Sequence, residues 1–545
     1  MTNTTTTHPT AHLDSAHVGD IRGGMGTIGV DAGAPRGWGA KTKTLVAILG
    51  PGLIVMVGDN DAGAFGTYTQ AGQDYGTTLL WTLLLLVPVL YVNQEMVVRL
   101  GAVTGVGHAR LILERFGKFW GAFSVIDLFL LNALTIVTEF IGITLAVGYL
   151  GLPKVPSVVL AAVLVVAAAS TGSFRRFERL CLILVAGSLL LIPVYLLAHP
   201  PVTEMAHSFV TPSFPPGEQL STVMLLIIGI VGTTVAPWQL FFQQSYVIDK
   251  RITPRFLAYE KADLWIGIVL VVVGAAAMFG FSAAAFAGTP DAGNFVDAGA
   301  VATGLEQYVS RTAGVLFAIA LLDASIIGAA AVGLSTSYAV SDVLGLKHSL
   351  HRKPSEAKGF YAIFALLMGI AATIVLIPGS PLGLLTVGVQ TLAGVLLPSA
   401  TVFLLLLCND RDVLGPWVNG RWLNLFTAAV VWVLVLLSII LTAAVLFPAI
   451  TGTQIVAILA GGSALAVLAA LGFALVKAFS GFGATPRPAP VDRTGRESWR
   501  MPPLGLLTRP TMSTGRRTGL TVLRGYLLIA VALVVVRIVQ LATTG

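Results

Sequence analysis

The sequence predicts an all-α polytopic membrane protein, two inverted repeats of five spans with two or three peripheral spans at the C-terminal end, and three observations predict it. Of 545 residues, 55% are hydrophobic and only 11% charged, with a mean hydropathy of +0.86, so lipid rather than water solvates most of the chain. Apolar stretches long enough to cross about 30 Å of hydrocarbon as helices recur along it. The first and the sixth stretch are interrupted at mid-depth, five crossings apart, the spacing expected when each of two inverted repeats opens on a discontinuous helix. No stretch shows the alternation of a membrane barrel, and backbone polar groups left unpaired in lipid leave helices as the remaining choice.

The elements follow in order. Residues 1–40, rich in Thr, Gly, His and Ala, lack the apolar core of a cleavable secretory signal and read as a disordered cytoplasmic tail with His8, His12 and His17 scattered in it. The predicted spans cover residues 45–71, 77–99, 119–150, 155–171, 180–198, 219–247, 263–287, 312–344, 360–377, 384–407, 423–447 and 454–477. The core is residues 41–447 with eleven spans, followed by an additional span within 448–477, a Pro- and Arg-rich basic cytoplasmic linker over 478–522, and a candidate terminal span within 523–545 that contains Arg537. Alternate loops gather cations, among them Arg99, Arg110, Arg115 and Lys118, then Arg175, Arg176 and Arg179, then Lys250, Arg251, Arg255 and Lys261, then Lys347, Arg352, Lys353 and Lys358. By the positive-inside rule these loops and the N-terminus are cytoplasmic, which makes the chain a multi-pass protein of the cell (plasma or inner) membrane. The intervening loops are poor in cations, and the longest run acidic, with Glu204 and Glu218 in one and Asp291, Asp297 and Glu306 in another.

The net charge of +7, from 33 Lys and Arg against 26 Asp and Glu, is therefore topogenic and faces lipid rather than nucleic acid. Cys181 and Cys408 lie in apolar surroundings without CxxC spacing, which excludes a disulfide framework or a structural zinc site. There is no nucleophile elbow, no HExxH and no phosphate loop, so the chain reads as no enzyme and as needing no cofactor. The sequence sets no oligomeric state.

The interruptions carry the chemistry. The first span breaks at Gly58-Asp59-Asn60-Asp61-Ala62-Gly63 and the sixth at Gly232-Thr233-Thr234-Val235-Ala236-Pro237, where Pro237 lacks an amide hydrogen and frees a carbonyl one turn earlier. Two carboxylates at mid-depth cost about 2.5–3.5 kcal/mol each on the insertion scale, and intramembrane acids are functional by default. Unwound carbonyls together with carboxylates make an all-oxygen site suited to a hard cation.

These residues resemble the Nramp family of divalent-metal transporters. The family's first helix carries G-P-G, eight residues, D-P-G-N and then Q-A-G; here stand Gly50-Pro51-Gly52, Asp61-Ala62-Gly63-Ala64 and Gln70-Ala71-Gly72. The family's M-P-H of the sixth helix is Ala236-Pro237-Trp238, with Gln243 at its second His, and a third match runs from Cys408 to Gly415 and from Val418 to Trp422. The resemblance covers about residues 45–447 and implies a LeuT-like transporter working by alternating access around Asp59, Asn60, Asp61 and the span-six break. It keeps the metal-binding Asp61 but replaces the Asn ligand with Ala64 and the Met ligand with Ala236. Losing the soft thioether removes discrimination against hard ions, and the wider, more acidic site is similar to that of the prokaryotic Nramp-related magnesium transporters. Mg2+ is the implied substrate, with Mn2+ also carried.

The resemblance also implies that backbone carbonyls of Gly58 and Thr233, and the side chain of Gln390, approach the ion during transport; an interhelical hydrogen bond is the other role open to Gln390. Of the family's acidic pair in the third helix only Glu139 remains, Ile136 taking the other position, and Trp238 and Gln243 replace the histidines. The proton route therefore reads as dismantled. Glu139, Trp238, Ala64, Gln243 and Asp323 are candidates for secondary or pathway roles, with plain packing or polar pairing as the alternative for Trp238 and Asp323. Three other functions stay open: a proton-coupled Mn2+/Fe2+ symporter, a sodium-coupled organic-solute symporter of the same fold, and a non-transporting metal sensor.

Overall fold

The computed structural model describes residues 11–379, 382–447, 450–479, 492–508, 510, 518–525 and 528. The first span is assembled from α1 (Trp38–Ile48), α2 (Pro51–Val57) and α3 (Ala62–Tyr75), with a 50° bend between α1 and α2. There follow α4 (Trp81–Thr104), the short α5 (His108–Phe116), α6 (Lys118–Tyr149) and α7 (Lys154–Ala169). The fifth span is α8 (Phe174–Gly187) continued through a 3-10 turn into α9 (Leu191–Ala198), and α10 (Val202–Val210) lies beyond it. The sixth span divides into α11 (Leu220–Thr234) and α12 (Pro237–Asp249). Next come α13 (Leu257–Phe286), α14 (Ala298–Tyr308), α15 (Arg311–Leu344), α16 (Lys358–Val375), α17 (Leu382–Cys408), α18 (Arg411–Leu414), α19 (Arg421–Leu446) and α20 (Gly452–Phe479).

Each of the twelve spans expected up to residue 477 thus has its helix, or its two or three consecutive helices. Among the described residues ten helices are long and apolar enough to cross a membrane, eleven if the bent pair α1–α2 counts as one, and α7 is a shorter apolar helix. The helices that hydropathy does not foresee are the short ones in the loops: α5, α10, α14 and α18. Two of them open on an aspartate cap: Asp297 accepts the Ala300 amide at 2.8 Å to start α14, and Asp410 accepts the Asp412 amide at 3.0 Å to start α18. The terminal span expected over 523–541 lies almost wholly outside the described residues.

Spans one, three, six, eight and ten form the interior. Small residues let α6 and α15 run side by side: a Cβ on Gly142 would run into the Ser325 hydroxyl and come 3.3 Å from Leu321, and one on Gly328 would come 2.7 Å from the Glu139 carboxyl. Asn132 on α6 donates to Thr336 on α15 at 2.9 Å. By contrast α20 turns most of its surface outward, as expected of a peripheral span facing lipid.

The cation-rich loops all lie on one face, called here the basic face. The Cys408–Trp422 motif is a structural clamp on it. Arg115 of α5 bonds Asp410 at 2.6 Å and Asp412 at 3.2 Å, Asn409 and Asn424 exchange amide hydrogen bonds, and Arg99 of α4 reaches Asn419 at 2.7 Å.

The tail departs from expectation. Residues 11–37 are not detached: β1 (Ile21–Arg22) pairs antiparallel with β2 (Thr27–Ile28), Ile21 opposite Ile28, and Asp14, His17 and Ile21 are buried against the basic face. Its low apolar content hides this because the segment docks through charge and backbone hydrogen bonds instead of a hydrophobic stripe. The basic linker behaves likewise over residues 492–508, where the Met501 amide donates to Val103 at 3.2 Å and the Trp417 indole donates to Arg496 at 2.8 Å.

Candidate ion site at two helix breaks

The first break is held from both ends. Gly50 has φ of +154°, a conformation that disfavours a side chain, and Pro51 opens α2 at its first position. The Asp263 carboxylate of α13 accepts the amides of Gly50, Gly52 and Leu53 at 3.2, 2.7 and 3.2 Å, satisfying the free N–H groups of that helix start. Gly52 lies against the α13 backbone, where an added Cβ would stand 2.7 Å from Leu264 Cα. These contacts explain the Gly-Pro-Gly triplet.

At the other end of α2, Gly58 closes the helix on Ile54, and the amides of Asp59 and Asn60 turn back to Met56 and Val57 at 3.3 and 3.1 Å. Asp61 then restarts the chain as the N-cap of α3, its Oδ1 accepting the Ala64 amide at 2.9 Å. Asp59, Asn60 and Asp61 are 1%, 4% and 4% exposed, so three consecutive polar residues sit sealed inside the protein.

The second break is shorter than expected. α11 continues through Thr234, leaving only Val235 and Ala236 outside helix before Pro237 opens α12. Gly232 remains helical; an added Cβ there would stand 2.9 Å from Gly394 Cα, so it serves the close pass of α11 by α17 rather than unwinding. Thr233 bonds the Gln390 amide oxygen at 3.1 Å and Thr67 at 3.2 Å, while Tyr68 and Thr234 pair at 2.7 Å. Side chains of α3, α11 and α17 thereby join the two breaks.

Around this frame Asp59 Oδ1 accepts a short hydrogen bond from Gln239 of α12, and Gln239 accepts from Gln94 of α4 at 2.9 Å. Asn60 donates to the Val271 carbonyl at 3.1 Å. Glu139 accepts the Ala62 amide at 3.2 Å, which sets its carboxyl beside the residue that follows Asp61. The Gln390 amide overlies the first turn of α3, where an added Cβ on Gly63 would lie 2.6 Å from Gln390 Cδ. Asp59 Oδ2, Asn60 Oδ1 and Glu139 Oε1 are buried and have no hydrogen-bonding partner within the protein. Such atoms in an intramembrane break are oxygens available to a cation. Among the described residues no three His, Cys, Asp or Glu side chains form a metal cluster, so a bound ion would draw on carbonyls, carboxamides or water besides the acids.

The structure therefore brings Asp59, Asn60, Asp61, Glu139, Thr233 and Gln390 into one connected region, and Gly58 lies within the same break. Ala64 and Ala236 are buried at the starts of α3 and α12 and contribute only methyl groups. Trp238 is buried on α12 with its ring 6.2 Å from that of Phe242, and its carbonyl accepts from Ser335 at 2.9 Å. Gln243 lies one turn beyond Gln239 with both amide atoms buried and unpartnered. Asp323 faces Gly187, at the end of α8, and reaches the first break only through a small cavity shared with Val57, Asn60 and Phe65. Gln94, Gln239, Tyr68 and Thr234 complete the region without being singled out in the sequence. The signal for Gln239 was the run of carboxamides at 239, 243 and 244 just past the Pro237 break in a span otherwise apolar.

The helices thus define a membrane protein with a buried oxygen-rich site between two broken spans. Residues 52–444 match the family described as natural resistance-associated macrophage protein-like, Nramp, and the chain belongs to that family. It is 31% identical over 412 residues to a protein of Ralstonia nicotianae named "Divalent metal cation transporter MntH", an alignment covering 72% of this chain and 88% of the relative. A protein of the same name from Latilactobacillus sakei is 28% identical over 427 residues, covering 73% and 89%. In three dimensions the chain is similar to the manganese transporter of Eremococcus coleocola, with a TM-score of 0.62 at 22% identity, over 81% of this chain and 96% of that one. The likeness agrees with the fold class expected from the two interrupted spans.

Proposed function

We propose that this chain carries divalent metal cations across the cell membrane by alternating access, with Mg2+ as principal substrate and Mn2+ also carried. The observation that bears the most weight is the pair Asp59 and Asp61 in one four-residue break, with alanines at 64 and 236. The acids supply anionic oxygen, Asp59 Oδ2 is unpartnered, and neither a thioether nor a side-chain amide is offered by residue 236 or 64. Mg2+ prefers oxygen ligands, dehydrates reluctantly and is commonly held through one or two carboxylates with waters retained. The relatives' printed name, divalent metal cation transporter, supports the substrate class. Membership of the family, with many apolar spans and no catalytic motif, supports a transporter rather than an enzyme. The cation-rich loops support a cytoplasmic basic face with the N-terminus on the same side.

The ion enters down its own electrochemical gradient, without protons. The positions of the family's sixth-helix histidines hold Trp238 and Gln243, neither of which exchanges protons near neutral pH. An inside-negative potential of about 100 mV supplies about 2.3 kcal/mol per charge, hence about 4.6 kcal/mol for two, enough for accumulation on the order of a thousandfold. The Glu139 carboxyl, set beside the residue that follows Asp61, is the feature that would favour a retained proton path. Flux assays in proteoliposomes with magnesium, manganese and internal-pH reporters separate the two readings: magnesium uptake without acidification supports uncoupled transport, and acidification in step with metal uptake overturns it.

A further inference from the structure

The segment before the first helix is fastened across the basic face, over the ends of α1, α8 and α12. Asp14 lies at one end, 4% exposed. Its carboxylate accepts the His348 amide at 2.9 Å and grips the Arg352 guanidinium through Nε at 2.9 Å and Nη2 at 2.5 Å. His17 is buried beside Asp249, the last residue of α12, at 3.6 Å, with its ring 5.1 Å from that of His348. The two imidazoles differ in charge: burial pulls His17 down to about 4, while for His348 burial is outweighed by the Asp342 carboxylate 2.8 Å away, which raises it to about 9. Farther along, Arg251 donates to the carbonyls of Ala16 and Asp20 at 2.9 and 3.0 Å, and Arg175 and Arg179 of α8 donate to Gly23 and Gly24 at 3.1 and 2.7 Å.

The end of α1, just before α2, is secured by the same groups. Lys250, just past α12, donates to the carbonyls of Ile48 and Leu49 at 2.6 and 2.9 Å and pairs with Glu178 of α8 at 2.8 Å, Lys250 and Glu178 both fully buried. The other oxygen of Glu178 accepts the Gly24 amide in a short hydrogen bond. Gly26 lies flat on α1, where an added Cβ would stand 2.6 Å from that of Ala47. One carboxylate thus joins the N-terminal segment, α8 and the Lys250 that holds the end of α1. Transporters of inverted-repeat architecture open by moving one bundle of helices against another around a fixed site. Here the end of α1, from which α2 follows, is tied to α8 and to the residue after α12, and this segment lies across all three.

We propose that residues 14–28 are an autoinhibitory strap, clasped by Asp14 on Arg352 and the His348 amide, that holds the basic-face gate shut and must release before an ion leaves the site toward that face. The strap acts on the opening of the gate and leaves the ligands at Asp59 and Asp61 untouched. It goes beyond the transport reading, because it concerns gate accessibility whatever the ion.

The test uses the full-length protein with Asp14→Ala and Arg352→Ala, singly and together, and two readouts. One is the initial rate of Mn2+ or Mg2+ uptake into proteoliposomes. The other is thiol labelling of native Cys181, buried one turn after Glu178 on α8 and near Tyr246 of α12, with buried Cys408 on α17 as internal control. Faster uptake and faster Cys181 labelling in each single variant, Cys408 unchanged and the double variant no faster than the singles, is the expected result. Unchanged labelling in folded protein, or faster labelling with wild-type uptake rates, overturns the strap. Should Asp14→Ala fail to fold, Arg352→Ala breaks the same clasp from the exposed side. A wild type that carries neither ion overturns the transport reading, and labelling alone then decides the strap.

Discussion

Asp61 and Asp59 divide the work at the break. Asp61 is committed to the protein as the cap of α3, whereas Asp59 keeps one oxygen unpartnered and is steered by Gln239. Replacing Gln239 with Ala strands Asp59 Oδ1 and the Gln94 amide in a dry interior. An unsatisfied buried group costs about 1–3 kcal/mol, and every 1.4 kcal/mol is about tenfold in affinity. Isothermal titration of Gln239→Ala with Mn2+ should therefore show binding weakened by about tenfold, with the fold intact by circular dichroism. Ala236→Met puts a thioether where the family carries one, and competition uptake should shift toward Mn2+ over Mg2+ because the soft ligand favours the softer ion; an unchanged ratio would mean residue 236 does not reach the ion. At this scale the sequence was informative: a hydrophobic span broken by Gly-Asp-Asn-Asp permits few readings other than a buried polar site. The Gln94–Gln239 relay was not legible, because carboxamides in spans serve as interhelical glue as readily as ligand support and only coordinates decide between them.

Among the elements, α2 is the one most constrained by its neighbours. Its start is shaped by Gly50, its first amides are capped by Asp263 on a helix more than two hundred positions away in sequence, and Gly52 touches the α13 backbone. Gly52→Val forces a branched side chain into Leu264. Overpacking of this kind costs about 1–3 kcal/mol, and a lowered melting temperature in detergent is expected, whereas the same change at solvent-facing Gly39, with open space around it, should leave it unchanged. Long spans were legible because twenty apolar residues have few alternatives to a membrane helix. The finer features of the spans were not. The sixth-span break reads as six residues in sequence and is two in the structure, since Gly232 is explained by the approach of α17 and not by unwinding. The N-terminal segment gave no signal because its anchors, Asp14 with Arg352 and Gly24 with Glu178, pair residues far apart in the chain.

For the whole molecule, the interior joins spans one, three, six and ten by hydrogen bonds at a single depth, with α19 and α20 attached outside it. Ties on the basic face are numerous, through Lys250, Asp263, Glu178 and the N-terminal segment, so that face is closed while the site itself keeps unpartnered oxygens. The opposite face is tied as well, Gln73 donating to Asp291 at 2.8 Å and Thr77 to Glu204 at 2.7 Å. In the proposed function a divalent ion passes through the Asp59–Asp61 break unaccompanied by protons. The most direct measurement is ion flux into proteoliposomes under an imposed inside-negative potential, with magnesium, manganese and internal-pH reporters read together for the wild type and Asp61→Ala. Magnesium and manganese should enter the wild type with no acidification, and flux through Asp61→Ala should fall at least about tenfold, the equivalent of about 1.4 kcal/mol of lost ion binding. Manganese uptake alone, matched by acidification, or undiminished magnesium flux in Asp61→Ala, would contradict the proposed function.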